Sequence, residues 1–214
     1  MLSLKTFVLN PFAENTYIIY DPSGECAVID PGNYNTRETL ELCAFIDENK
    51  LKIKYLLITH GHVDHIVGIH ELADRYGVKV SAHPDAKADF NRSVGQAQMF
   101  GFNGLKEVPA IDLALSDDAM LTLGESMLEV RCTPGHAEGS VSFYAPVEGW
   151  VFTGDALFCR SIGRTDFVGG DFVKLRSSIH SRLFTLPDDT TVLPGHGETT
   201  TIGEEKDFNP FVAL

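Results

Sequence analysis

Cysteine is sparse in this sequence. Cys26, Cys43, Cys132 and Cys159 are scattered through 214 residues with no C-x-x-C spacing, a pattern that fits reduced thiols in a cytosolic protein better than a disulfide framework. Long apolar runs are absent too: none approaches the roughly 18 residues of a membrane span. The N-terminal apolar run is broken by Asn10-Pro11 and flanked by a single lysine, so it does not read as a secretory signal. Positive charge is short. Against 30 Asp and Glu stand 17 Lys and Arg, a formal net charge of −13. Such a surface repels phosphate backbones and anionic lipid heads, which sets aside nucleic acid and membranes as partners. There is no internal repeat and no Pro/Ser-rich linker, so residues 1–214 are expected to form one domain. Ser140 lacks a G-x-S-x-G context, which removes the obvious serine nucleophile.

What is present suffices for a large core, with 43% of residues hydrophobic. Segments 3–9, 15–20 and 26–29 are predicted strands, rich in Phe, Val, Tyr and Ile between turn residues. Asn35, with Glu38 three residues on, starts a helix over about 36–50. A buried strand covers 53–59. Ile69, Leu72, Ala73 and Tyr76 have helical spacing within a helix over about 66–76, which Gly77 ends. A strand at 78–82 follows, and Pro84 suits the first turn of a third helix. Gly95, Gly101, Gly104 and Pro109 break any period, so 95–118 reads mostly as loop. Strands resume near 120–123, 127–132, 140–145, 149–153 and 190–193. Asp171 caps a helix with the stripe Phe172, Leu175, Ile179 and Leu183, stopped by Pro187. Runs of strands with interspersed helices predict an α/β architecture of two sheets covered by helices, in four layers.

The eight histidines are not placed at random. His60-Gly61-His62-Val63-Asp64-His65 follows a buried strand, where a rigid scaffold presents ligands. Imidazole and carboxylate suit zinc, iron or manganese. In extended chain, residues two apart point the same way, so His60 and His62 grip one ion while Asp64 and His65 turn toward a second position. His136 in Thr133-Pro134-Gly135-His136, Asp155 in Thr153-Gly154-Asp155 and His196 in Pro194-Gly195-His196-Gly197 each sit at a strand-to-loop junction behind a glycine. His70, His83 and His180 read as structural or surface residues.

The order H-x-H-x-D-H, T-P-G-H, T-G-D, P-G-H-G resembles the metallo-β-lactamase superfamily over almost the whole chain. The resemblance implies the four-layer αββα sandwich of that fold and two divalent metal ions per chain, zinc first and iron or manganese otherwise. His60, His62 and His136 would bind one ion, Asp64, His65 and His196 the other, and Asp155 would bridge them. Asp64 and Asp155 are then the candidate catalytic carboxylates as well as ligands. Lactam-cleaving members usually carry cysteine in place of Asp155 and often arginine in place of His65, which argues against β-lactams. Asp30, in Val28-Ile29-Asp30-Pro31-Gly32, also resembles a family motif and is expected to steady the metal loop.

Two close cations lower the pKa of a shared water, so a metal-bridging hydroxide is the expected nucleophile. Residues 160–182 place Arg160, Arg164, Lys174, Arg176 and Arg182 against Asp166 and Asp171, five positive charges to two negative, in an otherwise acidic chain. Arg164, behind Gly163, is the candidate for a substrate carboxylate. This segment, with Gly169-Gly170-Asp171 and the run Thr199-Thr200-Thr201-Ile202-Gly203-Glu204-Glu205-Lys206, is similar to short glyoxalase II-like hydrolases. The expected substrate is a small-molecule thioester such as S-lactoylglutathione. Longer glyoxalase II enzymes add a C-terminal helical domain that helps hold glutathione, and this sequence, with its last candidate ligand at His196, is expected to lack one. The segment Gly163-Arg164-Thr165-Asp166-Phe167 also resembles mononuclear-iron persulfide dioxygenases, but those tend to carry Ala-His-Asp-Tyr where this chain has Gly195-His196-Gly197-Glu198. Phe100 and Phe102 are candidates for a substrate entrance or for core.

Overall fold

The computed structural model describes residues 1–102, 105, 107 and 110–213. In chain order the elements are β1 (Ser3–Leu9), β2 (Glu14–Tyr20), β3 (Glu25–Ile29), α1 (Thr36–Glu48), β4 (Lys52–Leu57), α2 (Val63–Ile66), α3 (Ile69–Tyr76), β5 (Val80–Ala82), α4 (Lys87–Phe100), β6 (Leu113–Ala114), β7 (Met120–Leu123) and β8 (Ser126–Cys132). Then come β9 (Val141–Ala145), β10 (Trp150–Gly154), β11 (Leu157–Phe158), β12 (Ser161–Ile162), α5 (Phe172–Ser178) continued by a π-helical turn at Ile179–Leu183, β13 (Thr191–Pro194), β14 (Thr200–Thr201) and α6 (Ile202–Phe208).

One six-stranded sheet runs β1-β2-β3-β4-β5-β6 and a second runs β14-β13-β10-β9-β8-β7. The period-two alternation of strands sorts the core into layers. Ile18, Val28 and Leu56 point to one face, against Leu42 and Ile46 of α1 and Ile69 and Leu72 of α3. Their neighbours Ile19, Ile29 and Leu57 point to the other face, against Val130, Phe143 and Phe152 of the second sheet. Val151 and Val192, on that sheet's far side, meet Leu175, Ile179 and Leu183 beneath α5. The result is helix, sheet, sheet, helix, as the element pattern requires. Each fully buried Leu, Ile or Phe contributes roughly 1.5–3 kcal/mol, so the central layer is the fold's main support.

Local signals explain most boundaries. Asn35 Oδ1 accepts the Glu38 amide at 3.0 Å, and Glu38 returns its carboxylate to the Asn35 side chain and to the Tyr34 amide. The expectation of loop over 95–118 needs correction at its start. α4 runs through Gly95 to Phe100, because Phe90, Ser93 and Ala97 are buried at helical spacing. That burial outweighs the roughly 1 kcal/mol cost of one helical glycine. Leu113 and Ala114 also extend the first sheet. Gly104 and Pro109, named in that expectation, lie outside the described residues. In the helix over 172–183, Leu175, Ile179 and Leu183 are buried but Phe172 is exposed, because it sits beside the cap and points to solvent.

β3 and β4 are parallel, and so are β10 and β13. Their C-terminal ends therefore bring Asp30 beside Thr59 in the first sheet and Asp155 beside His196 in the second. Two backbone hydrogen bonds close the sheets over one another there: Val141 N donates to Thr59 O at 2.8 Å and Asn15 N to Gly195 O at 2.7 Å. Among the described residues no helix is long and apolar enough to cross a membrane.

Candidate metal centre

The loop after β4 is set by Asp30. Its Oδ1 accepts the Thr59 amide at 2.7 Å, and its Oδ2 accepts the Thr59 hydroxyl at 2.5 Å and faces His65 Nδ1 at 3.0 Å. The chain stays extended through His62 and then turns into α2, where the His65 amide donates back to His62 O. His60 and His62 therefore project together, and Asp64 and His65 leave in another direction from a helical turn. Gly154 precedes Asp155 with a left-handed φ of 50°, and a Cβ there would come within 2.7 Å of the Thr59 Cβ. Gly195 lets His196 approach: a Cβ on it would lie 2.3 Å from an Asp155 oxygen. Both positions need glycine for this close meeting of loops.

The structure brings all seven expected side chains together. Nδ1 of His62 lies 3.2 Å from Nε2 of His60 and 2.8 Å from Nε2 of His136. Nε2 of His65 and Nε2 of His196 are 3.3 Å apart, and Asp64 Oδ2 lies 3.2 Å from His196 and 3.7 Å from His65. Asp155 stands between the two triads. Its Oδ1 is 3.3 Å from His65, and its Oδ2 is 3.5 Å from His136, 3.7 Å from His196 and 4.0 Å from His60.

Electrostatics identifies what such a cluster suits. The outward nitrogens of four imidazoles each meet an oxygen: His60 Nδ1 the Thr59 hydroxyl at 3.0 Å, His65 the Asp30 carboxylate, His136 the Arg164 carbonyl at 2.8 Å and His196 the Phe12 carbonyl at 3.1 Å. With the proton held on that side, the inward nitrogen presents a lone pair. Lone pairs facing each other repel unless a cation sits among them. A tetrahedral ion with bonds of about 2.0–2.1 Å spaces its ligand atoms about 3.3 Å apart, close to the separations here. Asp155 Oδ1 is buried with no hydrogen-bond partner among the described residues, as an atom reserved for a metal would be. A third grouping, Asp30 with His60 and His65, is less suited, because Asp30 already serves Thr59 and His65.

Protonation divides the cluster. Burial opposes charge on His65 and His196, but Asp155, Asp64 and Asp30 outweigh it and raise His65 well above its usual range, and Asp64 with Asp155 raises His196. A bound cation would take the place of these protons. Burial, reinforced by the neighbouring imidazoles, holds His60 well below the usual range and brings His62 down to about 3, so both are neutral near pH 7. Burial opposes the charge on Asp155, but the surrounding His65, His60 and His136 outweigh it and hold the carboxyl well below the usual carboxylate range.

Arg164 lines the cavity over this cluster, but its guanidinium is engaged. Nε and Nη2 each donate to Asp166 at 2.7 Å, and the group lies 3.8 Å over the Phe167 ring. The surrounding basic stretch is largely paired as well: Arg160 meets Glu204 and Glu205, and Arg182 meets Asp117 and Asp118. Phe100 lines the cavity, whereas Phe102 is buried beneath it with Val63, Ala97 and Leu105. His70 lies in α3, His83 accepts the Asp85 amide, and His180 reaches the Val212 carbonyl, all away from the cluster. Ser140 donates to Ala137 O.

Sequence reasoning missed the residues that fasten the loops. Asn15 Nδ2 donates to the carbonyls of Pro194 and Gly197, both at 3.0 Å, and Tyr17 donates to Pro194 O at 2.7 Å. Asn10 Nδ2 donates to Asp64 O at 2.9 Å. Glu14 is fully buried behind His65, and burial pushes its carboxyl well above the usual range. The one available signal was polar Glu14-Asn15-Thr16 opening a strand otherwise rich in Tyr and Ile.

Comparison with known proteins gives a consistent picture. A family model described as the metallo-beta-lactamase superfamily matches residues 9–196. The chain is 37% identical over 218 residues to hydroxyacylglutathione hydrolase GloC of Haemophilus influenzae, covering 99% of this chain and 98% of that one. It is 34% identical to the mitochondrial persulfide dioxygenase ETHE1 of Mus musculus, over 93% of this chain and 71% of that one. Among solved structures, BLEG-1, a B3 metallo-beta-lactamase, aligns with a TM-score of 0.88 at 34% identity, covering 99% of this chain and 100% of that one. TTHA1623 in a di-iron-bound form aligns with a TM-score of 0.83 at 32% identity, covering 97% and 99%.

Proposed function

The chain belongs to the metallo-β-lactamase superfamily, and from that premise we propose that it is a dinuclear metal-dependent thioester hydrolase of the glyoxalase II type, acting on hydroxyacyl-glutathione-like substrates. The observation that carries the reading is the position of Asp155, one oxygen toward His65 and the other toward His136, with two triads of ligand atoms on either side. His60, His62 and His136 would hold one cation, Asp64, His65 and His196 the second, and Asp155 both. Because these ligands come from loops of both sheets, residues 1–214 are taken as one catalytic domain. Nitrogen and carboxylate donors suit zinc first, with iron or manganese as alternatives.

Two bound cations would supply an activated water and a Lewis acid for the thioester carbonyl. The protein's own part is to hold the ligand nitrogens deprotonated on their inward side, through Thr59, Asp30 and the carbonyls of Arg164 and Phe12. The buried faces of His60, His62 and His65 exclude bulk water from behind, while His196, 26% exposed, opens to the cavity. Arg164 would receive an anionic end of the substrate by exchanging Asp166 for it. The relative named a hydroxyacylglutathione hydrolase supports thioester chemistry.

A second reading, persulfide oxidation, is favoured by the persulfide dioxygenase relative and by Gly163-Arg164-Thr165-Asp166-Phe167. The deciding experiment loads purified protein with zinc or with iron. It then measures hydrolysis of S-lactoylglutathione and of a β-lactam, and oxygen uptake with glutathione persulfide. Thioester turnover well above that of the β-lactam, without oxygen uptake, is expected. Oxygen uptake by the iron form with no thioester hydrolysis by either form would replace this function with the second one.

A further inference from the structure

The cavity above the ligand cluster measures about 680 Å³, within the usual range for a small-molecule site. Its wall is apolar beyond what five polar ligand side chains at the floor require. Phe12 reaches it from the turn between β1 and β2, Met99 and Phe100 from the end of α4, Phe158 from β11, and Phe167 from the loop after β12. Phe12, Met99 and Phe100 are 43%, 78% and 48% exposed. The two rings are nonetheless buttressed: the Phe12 ring meets Phe100 edge-on at 5.4 Å and stacks at 5.4 Å on Phe102, whose ring rests against Tyr34 at 5.0 Å. A supported aromatic platform left open to water is the signature of a surface that a ligand covers.

The two ends of the cavity differ. The Phe12 carbonyl holds His196, and the Phe158 ring stands 6.2 Å from the His196 ring, so the platform adjoins the Asp64–His196 side. Phe167 faces His62 at 5.9 Å, and Arg164 with its Asp166 partner borders the His136 side. A thioester whose carbonyl lay between the triads would send one arm to each end. We infer that one arm of the substrate is an apolar alkyl or aryl chain lying on Phe12, Phe100 and Met99 at the His196 end, and that Phe12 and Phe100 set specificity. This rests on the thioesterase reading and narrows it, because a short hydroxylated acyl group such as lactoyl leaves the platform wet.

The test measures kcat/KM of the metal-loaded full chain on two series. One is N-acetylcysteamine thioesters from acetyl to decanoyl, and the other is acetyl thioesters of alkanethiols of matching length. In one series kcat/KM should climb about three- to fourfold per methylene until the platform is filled. Whichever series climbs identifies the arm. Phe12→Ala and Phe100→Ala should each cut the ratio of long-chain to short-chain kcat/KM at least tenfold. Both rings are half exposed, so melting temperatures near that of the parent should accompany the change. Flat series, or a climb that survives both substitutions, would overturn the inference while leaving thioester hydrolysis standing. If no thioester is turned over, the thioesterase reading fails. Calorimetric binding of straight-chain carboxylates from acetate to decanoate then tests the platform directly: affinity that rises with length and is lost in Phe100→Ala upholds it, and length-independent affinity sinks it.

Discussion

At the scale of single residues, charge placement separates ligands from bystanders. Asp155 is the residue on which the two triads depend, since its oxygens face both. Asp155→Ala should lower bound metal, read by elemental analysis, and reduce thioester turnover on the order of a hundredfold or more. Full metal content and full rate in that variant would remove the bridging assignment. Asp166 makes the opposite case. Its exposed carboxylate accepts two hydrogen bonds from Arg164, and that guanidinium in turn holds the carboxyl down at about 2. A substrate carboxylate has to displace it. Asp166→Ala should therefore raise kcat/KM for S-lactoylglutathione relative to a neutral thioester, by no more than about fivefold because exposed pairs are weak. Arg164→Ala should abolish that preference. An unchanged ratio in both variants would make Arg164 a support for His136, through its carbonyl, and nothing more.

At the scale of elements, the site is held by a strand that supplies no ligand. β2 lies across the end of the second sheet, and its Asn15 side chain satisfies two carbonyls of the Pro194–Gly197 loop. The side chain and the Pro194 carbonyl are buried, and truncation removes one of that carbonyl's two donors, the other being the Tyr17 hydroxyl, together with the tie to the exposed Gly197 carbonyl. Each lost hydrogen bond is worth about 0.5–1.5 kcal/mol. The loop is what presents His196. Asn15→Ala is expected to weaken retention of one metal by roughly 10- to 100-fold in a chelator competition, the range seen when supports of ligands are removed. Tyr17→Phe, which deletes one hydrogen bond to the same carbonyl, should have a smaller effect in the same direction. Loss of both metals together, or of neither, would show that β2 does not act through His196.

At the scale of the whole molecule, the first sheet's loops contribute His60, His62, Asp64 and His65, and the second sheet's loops contribute His136, Asp155 and His196. Metal bound between them would tie the two halves of the sandwich. Ions that bind the folded chain alone add about 4 kcal/mol at a free concentration a thousand times the dissociation constant. For a chain of this size each kcal/mol is worth about 2–4 °C. Exhaustive chelation should therefore lower the melting temperature by roughly 8–16 °C, and added zinc should restore it. A melting temperature indifferent to chelation would mean that the sheets are held by the apolar layer alone.

The sequence by itself singled out the seven side chains that cluster, and the layers. His60, His62, Asp64, His65, His136, Asp155 and His196 are legible because metal donors are chemically few and fall at strand ends behind glycines. The layers follow from alternation such as Ile18 against Ile19, which assigns each face without reference to distant residues. Other features needed the folded chain. The helix through Gly95 was hidden because burial of Phe90 and Ala97, a tertiary effect, overrode a local breaker. Asn15 and Tyr17 were invisible as supports because their partners are backbone carbonyls nearly 180 positions away, and a carbonyl leaves no mark in a sequence. Arg164 looked free in a basic stretch, yet only side-chain geometry reveals that Asp166 already holds it. The apolar platform likewise joins Phe12 to Phe100 across a sequence gap that no periodicity spans, and proximity in space alone decided that these rings share one wall.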